Sequence, residues 1–196
     1  MKNKEKFVYQ FKITLRDVNP PIWRQFQVES DMTLRKLAAS ILTLMGWSGG
    51  HLHQFYMGGK YYGIPDDEFE SGRDTIDEKT VKLIDLTDQE MKRFDFEYDF
   101  GDGWEHAIEC EKIFMSEGKI RYPICIDGAR NCPPEDCGGS GGYEDFLNAI
   151  KNPKHPEHKS LLTWIGGKFG PEEFDLKDIN DSLKDTKLME SFFDEL

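Results

Sequence analysis

Phe94-Asp-Phe-Glu-Tyr-Asp-Phe100, Gly101-Asp-Gly103 and Trp104-Glu-His-Ala-Ile-Glu-Cys-Glu-Lys-Ile-Phe114 follow one another without a gap. Aromatic residues at 94, 96, 98 and 100 alternate with acids at 95, 97 and 99, and a period of two places each kind on its own face of a strand. Beyond the glycines, Trp104, His106, Ile108 and Cys110 continue the inner face, and Glu105, Glu109 and Glu111, joined by Ala107, form the outer one. A strand, an Asp-Gly turn and a second strand predict an antiparallel hairpin. Its acidic outer face discourages pairing with other sheets.

The same alternation recurs upstream at Phe7, Tyr9, Phe11, Ile13 and Leu15. Asn19-Pro20-Pro21 breaks it, and Ile22 to Val28 reads as its partner strand. Leu34, Leu37, Ala38, Ile41, Leu42 and Met45 then fall on one stripe at helical spacing. Asp31 or Thr33 stands ready to cap that helix, and Gly46 to end it. His51 to Met57, Gly58-Gly59 and Lys60 to Tyr62 predict a second hairpin. Residues 64–79 are acidic and turn-rich and read as a surface loop, and 81–86 fits strand or helix equally. From 120 to 142 an irregular loop rich in Cys, Gly and Pro follows, and after it helices near 143–150, 156–165 and 171–183. The expected fold class is α+β: a mostly antiparallel, roll-like sheet, one long helix after the first hairpin, and a C-terminal group of helices. Residues 1–183 read as a single domain, strand-rich over 5–118 and helical over 143–183, with 184–196 as a tail.

Composition narrows the function. The chain has 196 residues, with 25 basic and 37 acidic side chains for a net charge of −12. That balance argues against nucleic acid as a partner, since such binding rests on clustered Lys and Arg. Aromatics at 13% are too many for a disordered acidic chain. No apolar run approaches the roughly 18 residues of a membrane span, and no apolar segment backs the basic residues of Met1 to Lys6 as in a secretory signal. The expectation is a cytoplasmic protein.

Six segments carry a resemblance: Asn19-Pro-Pro-Ile-Trp-Arg24, Leu52-His-Gln-Phe55 with its following glycines, Tyr98-Asp-Phe-Gly-Asp-Gly-Trp-Glu-His106, Cys132-Pro-Pro-Glu-Asp-Cys-Gly-Gly139, Tyr143-Glu-Asp-Phe-Leu147 and Trp164-Ile-Gly-Gly167. In order, and over about residues 5–183, they resemble the signatures of the plasmid pRiA4b ORF-3-like family. The resemblance implies an α+β, roll-like fold and no assigned activity. Some relatives are labelled insertion-element passenger or resolvase-like proteins, which implies an association with mobile genetic elements. The residues do not support recombination chemistry. The first serine, Ser30, is followed by Asp31, and the seven arginines (16, 24, 35, 73, 93, 121 and 130) are scattered singly.

Three sets of residues could carry chemistry. Cys125, Cys132 and Cys137 could converge as thiolate ligands, with zinc as the metal, completed by Cys110, His155 or His158. Their C-x6-C-x4-C spacing is looser than a zinc knuckle, and single loop cysteines are the plainer reading. His51 and His53 would share one face of a strand, as strand-borne metal ligands do, although Phe55 continues that face and favours packing. Asp99, Asp102, Glu105 and His106 gather at a hairpin tip, where Asp99, Asp102 and His106 could serve as general bases or ligands. Turn chemistry and solvated strand positions account for the same residues. His51, His53 and Trp104 are candidate ligand-binding residues. The Gly138 to Gly142 run matches no phosphate-loop pattern. No cofactor fingerprint and no complete catalytic constellation are present. A non-enzymatic binding or adaptor domain with an unknown protein or small-molecule partner is therefore expected. The alternative is a metal-dependent hydrolase built from His51, His53, Asp99, Asp102 and His106.

Overall fold

The computed structural model describes residues 6–65, 74–116, 118–185 and 191–192. Strand β1 (Phe7–Leu15) pairs antiparallel with β2 (Trp23–Glu29), with Phe11 opposite Phe26. Helix α1 (Leu34–Met45) follows, then the hairpin β3 (His53–Met57) and β4 (Lys60–Gly63), and β5 (Thr75–Asp77). A 3-10 turn (Leu83–Asp85) and short helix α2 (Asp88–Lys92) lead into β6 (Arg93–Tyr98) and β7 (Trp104–Met115). Strand β8 (Ile124–Ala129), α3 (Gly139–Lys151), α4 (His158–Trp164) and α5 (Leu176–Ser182) complete the described chain. Among the described residues the eight strands form one sheet in the order β5-β4-β3-β6-β7-β1-β2-β8. All its pairs are antiparallel except β4 with β5. The fold is α+β with a mostly antiparallel sheet.

The alternating residues of β1, β2, β6 and β7 point into a single core. Phe11, Ile13, Phe26, Phe55, Phe96, Tyr98 and Ile108 are all fully buried there with Leu34, Leu37, Ile41 and Leu42 of α1. Thr33 accepts from Lys36 N as N-cap and Gly46, with φ of 79°, closes the helix. The other early amides of α1 find backbone partners, Leu34 N donating to Val81 O and Arg35 N to Glu78 O. At 12 residues α1 is shorter than the 13-residue α3, so length does not single it out.

Several expectations are corrected. Within the loop read over 64–79, residues 66–73 lie outside the described set, but 75–77 are a strand and Glu78 is fully buried. Its acids hid a segment that pairs with β4 and braces α1. The irregular stretch 120–142 contains β8, which pairs with β2. Helix α3 starts at Gly139, so the glycine run is its first turn rather than a loop.

Two side chains tie the layers together. The buried Arg24 guanidinium donates to the carbonyls of Trp23, Leu44, Ala129 and Arg130 at 2.8–3.0 Å and to Cys132 Sγ at 3.2 Å. It joins the end of α1, where the helix carbonyls carry negative partial charge, to the end of β8. At the outer edge of β8, Asn180 of α5 accepts from Cys125 N and donates to Cys125 O, both at 2.9 Å. Of the tail, 186–190 and 193–196 lie outside the described residues, while Phe192 is buried against Gly49.

Candidate functional site

Three loops meet at one end of the sheet: 47–52 before β3, the hairpin tip 99–103, and the strap 131–138 that runs over them. Sequence chemistry fixes each. In the tip, Asp99 takes a left-handed backbone (φ 57°) and its Oδ1 accepts from Gly101 N at 3.0 Å and Asp102 N at 3.3 Å. This Asx turn breaks the strand alternation. Asp99 is therefore not the solvated outer-face residue expected but is 8% exposed. Asp102 Oδ2 accepts from Gly138 N at 3.1 Å, and a side chain on Gly139 would collide with Asp102 O.

The strap is held from below. Trp47 Nε1 donates to Pro133 O at 3.0 Å, Ser48 N to Glu135 Oε2 at 3.0 Å, and the Tyr98 hydroxyl to Glu135 Oε1 at 2.5 Å. Under it Trp47 stacks on Tyr98 and lies beside Trp104 and His106. Burial, then the Glu135 carboxylate, pushes the Tyr98 phenol above its usual range, so it stays a hydrogen-bond donor.

At the mouth of this junction, His51 Nδ1 lies 3.7 Å from Asp99 Oδ2 and His51 Nε2 lies 3.4 Å from Asp136 Oδ1. One donor atom of each residue lies within 4.8 Å of those of the other two. The strap then opens onto a cleft of about 570 Å³ between it and helices α3 and α4. Asp136, Asp145 and Glu157 contribute its acidic lining, and Phe146, Leu161 and Trp164 its apolar wall. Trp164 is 48% exposed and meets Phe146 edge-on at 5.8 Å.

The sequence candidates divide. His51, Asp99 and Asp102 come to this junction. His53 does not share a face with His51, because β3 begins only at His53. Its ring is buried and pairs with buried Glu78 at 2.9 Å, and Glu78 in turn with Arg35 at 3.3 Å. His106 is fully buried, with Nδ1 3.2 Å from Phe96 O, and burial lowers its pKa to about 4, so the ring packs in its neutral form. Trp104, at 1% exposure, belongs to the aromatic floor and presents no ligand-binding surface.

The cysteines do not assemble. Among the described residues no group of three potential metal ligands contains a cysteine. Cys132 Sγ is committed to Arg24 and lies 3.1 Å from Met45 Sδ, and Cys125 Sγ faces Asp127 O. Burial raises the thiols of Cys125 and Cys132 to about 11 and that of Cys137 to about 12. His155 accepts from Glu157 N and lines the cleft, and His158 pairs with Ala149 O. Asp136, Asp145 and Trp164 were missed as site residues: each lies in a segment that carries the family resemblance, but the resemblance assigns its residues no role, and a strap acid, a helical acid and a helical Trp show no chemical pattern of their own.

A sequence model of one family, described as plasmid pRiA4b ORF-3-like protein, matches residues 7–178. An uncharacterized protein, y4hQ, of Sinorhizobium fredii (strain NBRC 101917 / NGR234) is 38% identical over 160 residues, covering 81% of each chain. The crystal structure of a protein of unknown function, MM3350, from Methanosarcina mazei Go1 superposes with a TM-score of 0.80 at 36% identity. That superposition covers 89% of this chain and 98% of the other.

Proposed function

Since the chain belongs to the plasmid pRiA4b ORF-3-like family, whose relatives described above carry no assigned activity, we propose from its own site that it is a non-enzymatic binding or adaptor domain. Its cleft takes a cationic side chain, Arg or Lys with apolar neighbours, from a protein partner. The cleft carries the reading: about 570 Å³ lies within the range of ligand sites, and Asp136, Asp145 and Glu157 line it together with the half-exposed Trp164. A cation over an indole with carboxylates beside it gains both cation–π and charge stabilisation. The net charge of −12 favours the same sign of partner. A cytoplasmic location fits the lack, among the described residues, of any helix long and apolar enough to cross a membrane. Association with mobile elements is part of the proposal, supported by the plasmid in the family's description.

The test uses two capped hexapeptides with Leu neighbours, one centred on Arg and one on Glu. The Arg peptide is expected to shift the indole N–H resonance of Trp164, assigned by its loss in Trp164→Phe, and the Glu peptide to leave it in place. By calorimetry, Trp164→Ala should weaken the Arg peptide by about 3- to 30-fold, the range of a cation–π contact. Equal shifts from both peptides, or none from either, refute the reading.

A further inference from the structure

We propose that His51 is a proton-operated switch on the cleft: its imidazolium holds the Asp136 carboxylate near the hairpin tip, and its neutral ring releases that carboxylate to a cationic ligand. This regulation rests on the binding proposed above for the cleft. The two separations at His51 run from opposite nitrogens, Nδ1 to Asp99 at 3.7 Å and Nε2 to Asp136 at 3.4 Å. The three side chains therefore do not converge on one ion; the ring stands between two carboxylates. A neutral imidazole carries one N–H and serves one of them, while its other nitrogen turns a lone pair toward the second. Only the imidazolium, with two N–H groups, suits both.

What the proton moves is a side chain. The strap is fixed on either side of Asp136, by Tyr98 and Ser48 at the Glu135 carboxylate and by Asp102 at Gly138 N. Asp99 is fixed as well, its N–H donating to Leu52 O at 2.9 Å and its Oδ1 taken by two amides. Tyr98 meets the His51 ring edge-on at 5.8 Å. The Asp136 side chain, 72% exposed, is the partner left to turn, and it both faces His51 and lines the cleft. The ionisable groups around the ring are Tyr98, Asp99 and Asp102 from the hairpin and Glu135, Asp136 and Cys137 from the strap. Asp145, Glu157 and His155 join them in the cleft. An unperturbed imidazole alone among side chains changes charge between about pH 5 and 8, so His51 and His155 are the groups to separate. Proton and cation compete for one carboxylate, and each weakens the other by the same factor.

Two measurements on the full chain test this. Without ligand, the side-chain carboxyl carbon resonance of Asp136, assigned by its loss in Asp136→Asn, should shift together with the His51 ring signals between about pH 5.5 and 8. That shift should vanish in His51→Gln. A carboxyl resonance that stays put over this interval, or that still moves in His51→Gln, overturns the switch. With the Arg peptide, calorimetry should give about two- to fivefold tighter binding at the upper pH than at the lower, the scale of one exposed ion pair. His51→Gln and Asp136→Asn should each remove the difference. Both side chains are at least a third exposed, and circular dichroism verifies the fold of each variant. A difference that survives His51→Gln and disappears in His155→Gln also overturns the switch. If the peptide leaves the Trp164 resonance in place at both pH values, the cleft reading fails, and the carboxyl titration alone decides whether His51 holds Asp136.

Discussion

His106 and His51 are two imidazoles placed in opposite surroundings. His106 sits between Phe96, Trp47 and Trp104 with its pKa lowered to about 4 by burial. An unfolded histidine titrates near 6.5. Because the folded value is the lower one, the neutral ring's contribution is complete above about pH 6.5. It is lost as pH falls toward 4, where the unfolded chain already binds the proton. The full loss is about 3 kcal/mol at 1.4 kcal/mol per unit. Urea unfolding at pH 7 and pH 4.5 should therefore show a fall in stability that His106→Leu largely removes, and an unchanged slope in the variant would assign the effect elsewhere. Alternation placed His106 on the inner face correctly, yet a candidate base and a core residue have the same letter and the same period. Only burial separates them. Asp136 stayed hidden for the converse reason, since an exposed acid in a loop has no periodicity until the fold brings it to His51.

The elements were read most readily where one periodicity acted alone. Strands β6 and β7 and helix α1 each bury one face or stripe, and the pattern of apolar residues records that directly; β1 shows the same alternation although Val8 and Gln10 on its other face are buried too. It failed where composition spoke for something else: β5 among acids, β8 among Cys, Gly and Pro, and the first turn of α3 written in glycine. The glycines of α3 show why. A side chain at Gly142 would collide with Cys137 O, where the strap passes the helix, whereas Gly141 faces open space. Close approach, not flexibility, explains Gly142. Gly142→Ala should destabilise the protein by about 1–3 kcal/mol as an overpacked contact, and Gly141→Ala should stabilise it by about 0.5–1 kcal/mol through helix propensity. Urea midpoints compare the two. Equal effects would show that the strap does not press on the helix.

At the scale of the whole molecule, the site sits where three segments far apart in sequence converge on one end of an antiparallel sheet, so fold class was legible and the site only half so. His51, Asp99 and Asp102 were singled out by residue type. Their separation from His53 and His106 follows from where β3 begins and from which side of the sheet each ring takes. The molecule must also finish its sheet, and at β8 it does so with one amide: Asn180 engages both polar groups of Cys125 as a neighbouring strand would. A side chain standing in for a ninth strand acts as a colloidal safeguard, since an open β8 would offer other copies a template for addition. Asn180→Ala should leave the monomer folded but turn concentrated solutions turbid on standing, with light scattering growing steeply with concentration. A variant that stayed clear would mean that the helix body, not the amide, keeps these molecules apart.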